Sequence, residues 1–472
     1  MVSANGRPRR PAHAEPGTQP SRRVVLQCVG AVLLGGGAFA LAGCRTAVAP
    51  PLGRGDTGAL AERYTRLALQ LAKHQPSLID PWLGPPAWAD GPRLPAPVLR
   101  AQAAQLLLDV EILAASDVGQ AGGAAATGTG ATATGNGHKA AGAPTARTRT
   151  RYLAGQIRAL DAAAGRLLGE GQPFAEEARR TFGHAAPPRD AALLDAHRQR
   201  LSEALPGRGT LAERHAAFRR SLAVPAGRVE AVFTAAVAWC RTAAREVLPL
   251  PEGETLTTRA EDASGWAAFS RATGPRTSDL WVATRGGADA AHLLQLAAHE
   301  GTPGHHAQHV LAAATLVEGL GWTERLLDPA FGPHRLFAEG AAEAGAGLLL
   351  PHEVRVQVCR EILLPAAGLA SARAESLVRV ERLAAELDLE VAYVAADYLD
   401  TSLSADAATR RLRDDALVLD PAGLLSFVEK QRAKVLAYPV GRRLVRDALE
   451  ATPAAGRWAR LRSIATTLTL SE

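Results

Sequence analysis

A mainly α-helical fold is what this sequence predicts, and three observations lead there. Apolar residues fill 47% of the 472 positions, yet aromatics fill only 4%. Alanine, leucine and arginine are plentiful, while alternating stretches rich in Val, Ile and Thr are rare, a balance that favours helix over sheet. Apolar residues also recur at helical spacing through most of the chain. The length allows a large core and two or three lobes.

The first helix spans Ala59 to His74, with Leu60, Tyr64, Leu67 and Leu71 on one face. Pro76 and the proline-rich segment 79–86 end it. A second helix covers Pro97 to about Ala115, carrying Leu99, Leu106, Leu107, Val110 and Leu113. Residues 118–146 are nearly all Gly, Ala and Thr. Such a segment cannot bury enough apolar surface to offset ordering, and it reads as a flexible insertion between helices. Helical periodicity resumes from Thr148 to Leu248, broken at Pro187–Pro188 and Pro206–Gly207. After Pro251 the chain suggests extended structure, with a strand over Ser278–Thr284 closed by Gly286–Gly287. That strand is either structural or an edge along which an extended peptide docks. Helices then run from about Asp289 to the C-terminus. The chain thus divides into an N-terminal helical region, 59–250, and a second region, 251–472, that bears the chemistry.

The N-terminus has the order of an export signal. Arg22 and Arg23 precede an uncharged, largely apolar run from Val24 to Gly43, which ends in Leu41-Ala42-Gly43-Cys44. Paired arginines there resemble a twin-arginine signal, and Leu-Ala-Gly-Cys resembles a lipobox in which Cys44 takes the lipid. Residues 1–44 are then a lipoprotein signal peptide and 45–58 a tether. The body is expected to be exported, anchored by lipid to the outer face of the cytoplasmic membrane. An uncleaved membrane anchor is the alternative, because the run approaches the roughly 20 residues that a span needs. Cys28 falls within the signal, which leaves Cys240 and Cys359, and an exported compartment permits a disulfide between them. With no Cys-x-x-Cys pattern, a metal site must use His and carboxylates. The net charge is +6, but basic and acidic residues are interleaved and form no basic stripe. Nucleic-acid binding therefore finds no support.

The informative segment is His299-Glu300-Gly301-Thr302-Pro303-Gly304-His305-His306-Ala307-Gln308-His309, which holds four of the chain's 13 histidines. Two imidazoles and one carboxylate are a common zinc-hydrolase ligand set, with a position left for water. A glutamate next to the first histidine can take the proton of that water. On a straight helix His305 would lie about 120° round from His299 and ~9 Å along it, too far to share an ion. Pro303 and Gly304 supply a break that can bring His305 back. His306 returns to nearly the same face but rises ~10.5 Å, and is held as the alternative ligand. A small-residue helix around Phe337-Ala338-Glu339-Gly340-Ala341-Ala342-Glu343 can approach closely and supply a third ligand. Glu339 is assigned to the metal, and Glu343 to a ligand histidine or to the metal in its place. His309 reads as structural or as support behind a ligand, His334 as ordinary loop chemistry, and Arg442 as a surface salt bridge, with binding of a substrate carboxylate as its alternative.

These residues carry a family resemblance. The string His-Glu-x-x-Pro-Gly-His-His, followed downstream by a Glu-Gly helix, resembles the DUF885 family of bacterial metallopeptidases. The segment 75–88 resembles an early segment of one branch of that family, and Tyr438-Pro439-Val440-Gly441-Arg442 resembles its Tyr-x-x-Gly-Arg segment. Together they span roughly residues 59–450. Trp82-Leu83 stands where that branch tends to have paired tyrosines, and Thr302 replaces a bulkier residue, departures that bear on specificity. The resemblance implies a multi-helix, zincin-like bundle, a bound Zn²⁺ and peptide hydrolysis. Glu300 is then the expected general base, and Tyr438 a candidate donor to the oxyanion. A lipoprotein that binds a metal or a peptide without turnover is the alternative, and such a binder would have no need of Glu300.

Overall fold

Helices dominate the described residues, which hold few strands and no closed sheet. The computed structural model describes residues 57–124, 144–263, 266–400 and 402–470. The signal segment, nearly all of the tether and most of the Gly/Ala/Thr stretch lie outside these residues. The first seven helices are α1 (Thr57–Ala72), α2 (Ala96–Ala124), α3 (Ala146–Arg166), α4 (Phe174–Phe182), α5 (Ala191–Ala204), α6 (Leu211–Ser221) and α7 (Ala226–Ala244). The face predicted on α1 is buried, and it packs with Leu99, Leu106 and Val110 of α2 and with Leu153, Ile157 and Leu160 of α3. α2 continues past its expected end to Ala124. Thr145 and Thr210 open α3 and α6 with reciprocal capping boxes, which satisfy amides that a helix start leaves unpaired. The proline breaks at 187–188 and 206–207 fall in the loops on either side of α5.

Among the described residues five strands interrupt the helices: β1 (Ile79–Trp82), β2 (Thr255–Glu261), β3 (Ala268–Gly274), β4 (Thr277–Ala283) and β5 (Leu327–Pro329). β1 and β5 pair antiparallel. The other three form a sheet in the order β2-β4-β3, with β2 parallel and β3 antiparallel to β4. The strand predicted over 278–284 is therefore the central one. Both its edges are paired, so an extended peptide has no free edge there to join. Its inward residues Leu280 and Val282 pack with α7 and the helix that follows, in the largest apolar cluster.

The remaining helices are α8 (Ala290–Leu296), α9 (His305–Ala312), α10 (Gly332–Leu349), α11 (His352–Val358), α12 (Leu364–Ala367), α13 (Ala374–Ala385), α14 (Asp388–Leu399), α15 (Ala405–Asp414), α16 (Pro421–Gln431), α17 (Ala437–Glu450) and α18 (Arg457–Thr467). Cys240 and Cys359 are free, buried thiols in the main core, with no disulfide between them. Burial pushes both up to about 12, which makes them inert. No helix of the described residues is long and apolar enough to cross a membrane.

α10 and α17 approach closely because each presents a glycine at the crossing. A Cβ on Gly340 would lie 2.3 Å from the carbonyl oxygen of Gly441, and one on Gly441 would lie 2.3 Å from that of Leu336. Gly441→Ala is expected to cost about 1–3 kcal/mol through overpacking, read as a lower urea midpoint at unchanged slope. Gly347→Ala, on the exposed side of α10 with nothing near its Cβ, is expected to be neutral or stabilising by up to ~1 kcal/mol.

Candidate metal centre

The Asp289 side chain accepts a hydrogen bond from the His292 amide at 2.9 Å and starts α8. After Leu296 the backbone widens into a π-type turn, Ala297–Gly301, which carries His299 and Glu300. Such turns loosen a helix locally and recur at functional sites. The chain then breaks at Thr302–Gly304, where the Gly304 amide donates to the Ala298 carbonyl at 3.0 Å. A Cβ on Gly304 would sit 1.7 Å from the carbonyl oxygen of His299, so only glycine fits. α9 restarts at His305 with its ring turned back: the His299 and His305 centroids lie 4.8 Å apart, their planes at 86°.

α10 supplies the third group. Glu339 Oε2 lies 3.2 Å from His299 Nε2 and 3.3 Å from His305 Nε2. One ligand atom from each of the three residues falls within 4.8 Å of the other two, so His299, His305 and Glu339 can hold a metal ion. A tetrahedral ion with bonds of about 2.0–2.1 Å sets its ligand atoms about 3.3 Å apart. The two His–Glu edges have that length. On the far side of His299, Nδ1 lies 2.9 Å from Glu343 Oε1, and Gln295 Nε2 donates to the other oxygen of Glu343 at 3.0 Å. Glu343 thus faces the back of the histidine and not the triad. Arg335 Nη1 lies 3.5 Å from Glu339 Oε1, the oxygen turned away from the imidazoles.

A cavity of about 270 Å³ opens beside the triad. Glu300 lines it and accepts a hydrogen bond at 2.9 Å from the Ser270 amide of β3, which ties the carboxylate to that wall. Tyr438 lines it too, and the residue as a whole is 38% exposed. The early segment reaches the same cavity through Ser77, Pro81 and Leu83, so both regions of the chain contribute walls. His306 is not part of the cluster. Fully buried, it points the other way, with Nε2 2.9 Å from Glu254 Oε2 and Nδ1 3.0 Å from Ser278 Oγ. His309 Nε2 donates to the Gly274 carbonyl at 2.7 Å. Arg442 pairs with Asp388 at 2.7 Å.

Sequence reading missed Ser270, Asp328 and Arg335, and it misplaced His334. His334 lies inside α10, buried, and belongs to a polar chain. Tyr152 hydroxyl donates to His334 Nδ1 at 2.9 Å, which leaves the ring proton on Nε2, 3.3 Å from Asp328. Asp328 in turn accepts from Arg335 Nη2 at 2.7 Å. The four-residue spacing of Arg335 and Glu339 was the one signal available in the sequence.

Burial opposes charge throughout the site. At Glu339 it is outweighed by His305 and His299, which hold the carboxyl well below its ordinary value. At His299 burial is likewise outweighed, by Glu339 and Glu343, and the imidazole is raised. The negative charge of Glu339, with burial, raises the Tyr438 phenol, so it keeps its proton as a donor. At His334 burial wins over Asp328 and pushes the ring down to about 4.

No family model matches the chain. No curated protein matches it either. Among solved structures, the chain is similar to a candidate lipoprotein from Colwellia psychrerythraea, at 14% identity and a TM-score of 0.46 over 68% of this chain. The chain spans 60% of the length of that protein. It is also similar to a candidate lipoprotein of unknown function from Shewanella oneidensis, at 12% identity and a TM-score of 0.41, over 79% of this chain and 75% of that one.

Two buried histidines make the fold sensitive to acid. Burial pushes His215 as well as His334 to about 4, below the ~6.5 of an unfolded chain. The unfolded state then binds more protons between these values, so stability present above pH ~6.5 is lost as the pH falls towards 4. Denaturant unfolding from pH 7 to 4 is expected to show this decline, on the order of 3 kcal/mol per site at most. His334→Gln is expected to lower the slope by up to one proton in that window.

Proposed function

We propose that the protein is an exported zinc hydrolase that cleaves peptide bonds. One observation carries the reading: a single carboxylate oxygen faces two imidazole nitrogens beside a cavity that also holds Glu300 and Tyr438. The donor set of two His and one Glu suits zinc, and the resemblance of His299–His306 and of the Glu339–Gly340 helix to the DUF885 metallopeptidases points the same way. Bound there, zinc would acidify a water and polarise the substrate carbonyl.

The protein's own residues supply the rest. Glu300 takes the proton of the attacking water and passes it to the leaving amine, so the peptide bond is exchanged for a carboxylate and an amine. Tyr438, kept protonated, donates a hydrogen bond to the carbonyl oxygen as negative charge develops there. Glu343 orients His299 from behind, and Arg335 occupies the outer oxygen of Glu339, leaving Oε2 for the ligand position. The N-terminal Arg22-Arg23, the apolar run and Leu41-Ala42-Gly43-Cys44 support export and lipid anchoring at Cys44.

Elemental analysis of the purified protein is expected to find about one zinc per chain, lost in His299→Ala. Glu300→Gln is expected to keep its metal while hydrolysis of a peptide library falls ~10²–10⁴-fold. Wild-type protein that takes up no metal, even after reconstitution, would sink the proposal. For the anchor, Cys44→Ala is expected to move the protein from the membrane fraction to the soluble one, and an unchanged distribution would remove the lipid.

A further inference from the structure

Two arginines stand in the wall of the cavity, Arg325 buried and Arg335 part-buried, and they differ in what neutralises them. Arg335 has Asp328 at 2.7 Å and Glu339 at 3.5 Å. Arg325, only 7% exposed, makes no ion pair among the described residues. Its Nη2 donates to the Thr466 carbonyl at 3.2 Å, and its guanidinium lies 4.6 Å from the centre of the Tyr152 ring. Its Nε and Nη1 find no acceptor.

The nearby acids are committed elsewhere. Both oxygens of Glu324, the preceding residue, are held by Arg149 at 2.7 and 2.8 Å. Asp328 faces Arg335 and His334. A π face and one carbonyl are poor replacements for a counter-ion, and an uncompensated buried charge is costly. A cavity that keeps one beside a hydrolytic set of residues is suited to a ligand that brings the missing negative charge. At about 270 Å³ the cavity also lies just below the ~300–1,000 Å³ of typical ligand pockets, which suits a chain end better than a long segment.

We infer that Arg325 forms a carboxylate-binding subsite, and that the substrate is a short peptide whose free C-terminal carboxylate lies close to the bond that is cut. The inference rests on the hydrolase reading for the cleavage, but not for the binding. The carboxylate accepts charge-assisted hydrogen bonds from the guanidinium, which gains the partner it lacks. Hydrolysis then releases the C-terminal fragment, with no change to the subsite itself.

The test uses the detergent-solubilised full chain carrying Glu300→Gln, incubated with a pooled tripeptide library as free acids and with the same library as C-terminal amides. Retained peptides are quantified by mass spectrometry. Acids are expected to be retained at least tenfold over amides. Adding Arg325→Gln is expected to abolish the preference, and Arg325→Lys to keep part of it, since Lys preserves the charge but not the planar fork. Equal retention of acids and amides, retention of neither, or a preference that survives Arg325→Gln would each overturn the subsite. Wild-type protein that hydrolyses nothing yet shows the Arg325-dependent preference would discard the peptidase reading and keep the subsite. Melting without ligand separates a structural strut: Arg325→Gln is expected to melt at or above wild type, and a fall of more than about 5 °C would overturn the inference.

Discussion

At Gly304 the backbone lies so close to the carbonyl of His299 that no side chain fits between them, and the cluster of His299, His305 and Glu339 depends on that contact. Two histidines six residues apart on a regular helix face different ways. The wide turn at Ala297–Gly301 and the break after it cancel that separation and bring the rings to 4.8 Å. α10 closes on the turn from the other side. A Cβ on Gly345 would lie 3.1 Å from Pro303 Cγ, and Gln308 of α9 donates to the Ala338 carbonyl at 2.8 Å. Small residues on α10 are what let Glu339 come within reach.

The same logic links the two glutamate-and-tyrosine motifs. Gly340 follows Glu339 directly, and Gly441 lies three residues after Tyr438; these two glycines meet where α10 and α17 cross. Close backbone approach there sets Glu339 and Tyr438 on one cavity, although 99 positions separate them in the chain. A motif glycine that looks incidental in the sequence is, in the fold, the contact that brings Glu339 and Tyr438 to one cavity.

Charge burial around the cavity is mostly paid back locally. Tyr152, His334, Asp328, Arg335 and Glu339 form a chain in which each group faces the next. In a low-dielectric interior a chain of this kind is stiff when complete, and costly where a member lacks its partner. Arg325, in the same wall, makes no ion pair among the described residues, and its Nε and Nη1 find no acceptor. His306 shows the opposite outcome. Its neighbour His305 joins Glu339, but successive residues on a helix point about 100° apart, so His306 turns to Glu254 and Ser278 instead.

Much of the fold was legible in the sequence. Helical periodicity marked α1 with its buried face, the proline breaks around α5, and a strand within a residue of β4, because these patterns are written in consecutive residues. The Pro-Gly break marked His305 rather than His306 as the partner of His299, and the small-residue helix marked Glu339. The central position of β4, the Ser270 bond to Glu300, the partners of His306 and the polar chain through His334 and Asp328 were decided only by the tertiary structure. Each joins groups far apart in the chain, 28 positions for His306 and Ser278, 30 for Ser270 and Glu300, and 182 for Tyr152 and His334. Local pattern states which residues are apolar, charged or able to break a helix. Which distant group a buried polar atom meets is settled by packing, because the desolvated atom must find a partner among whatever the folded chain places beside it.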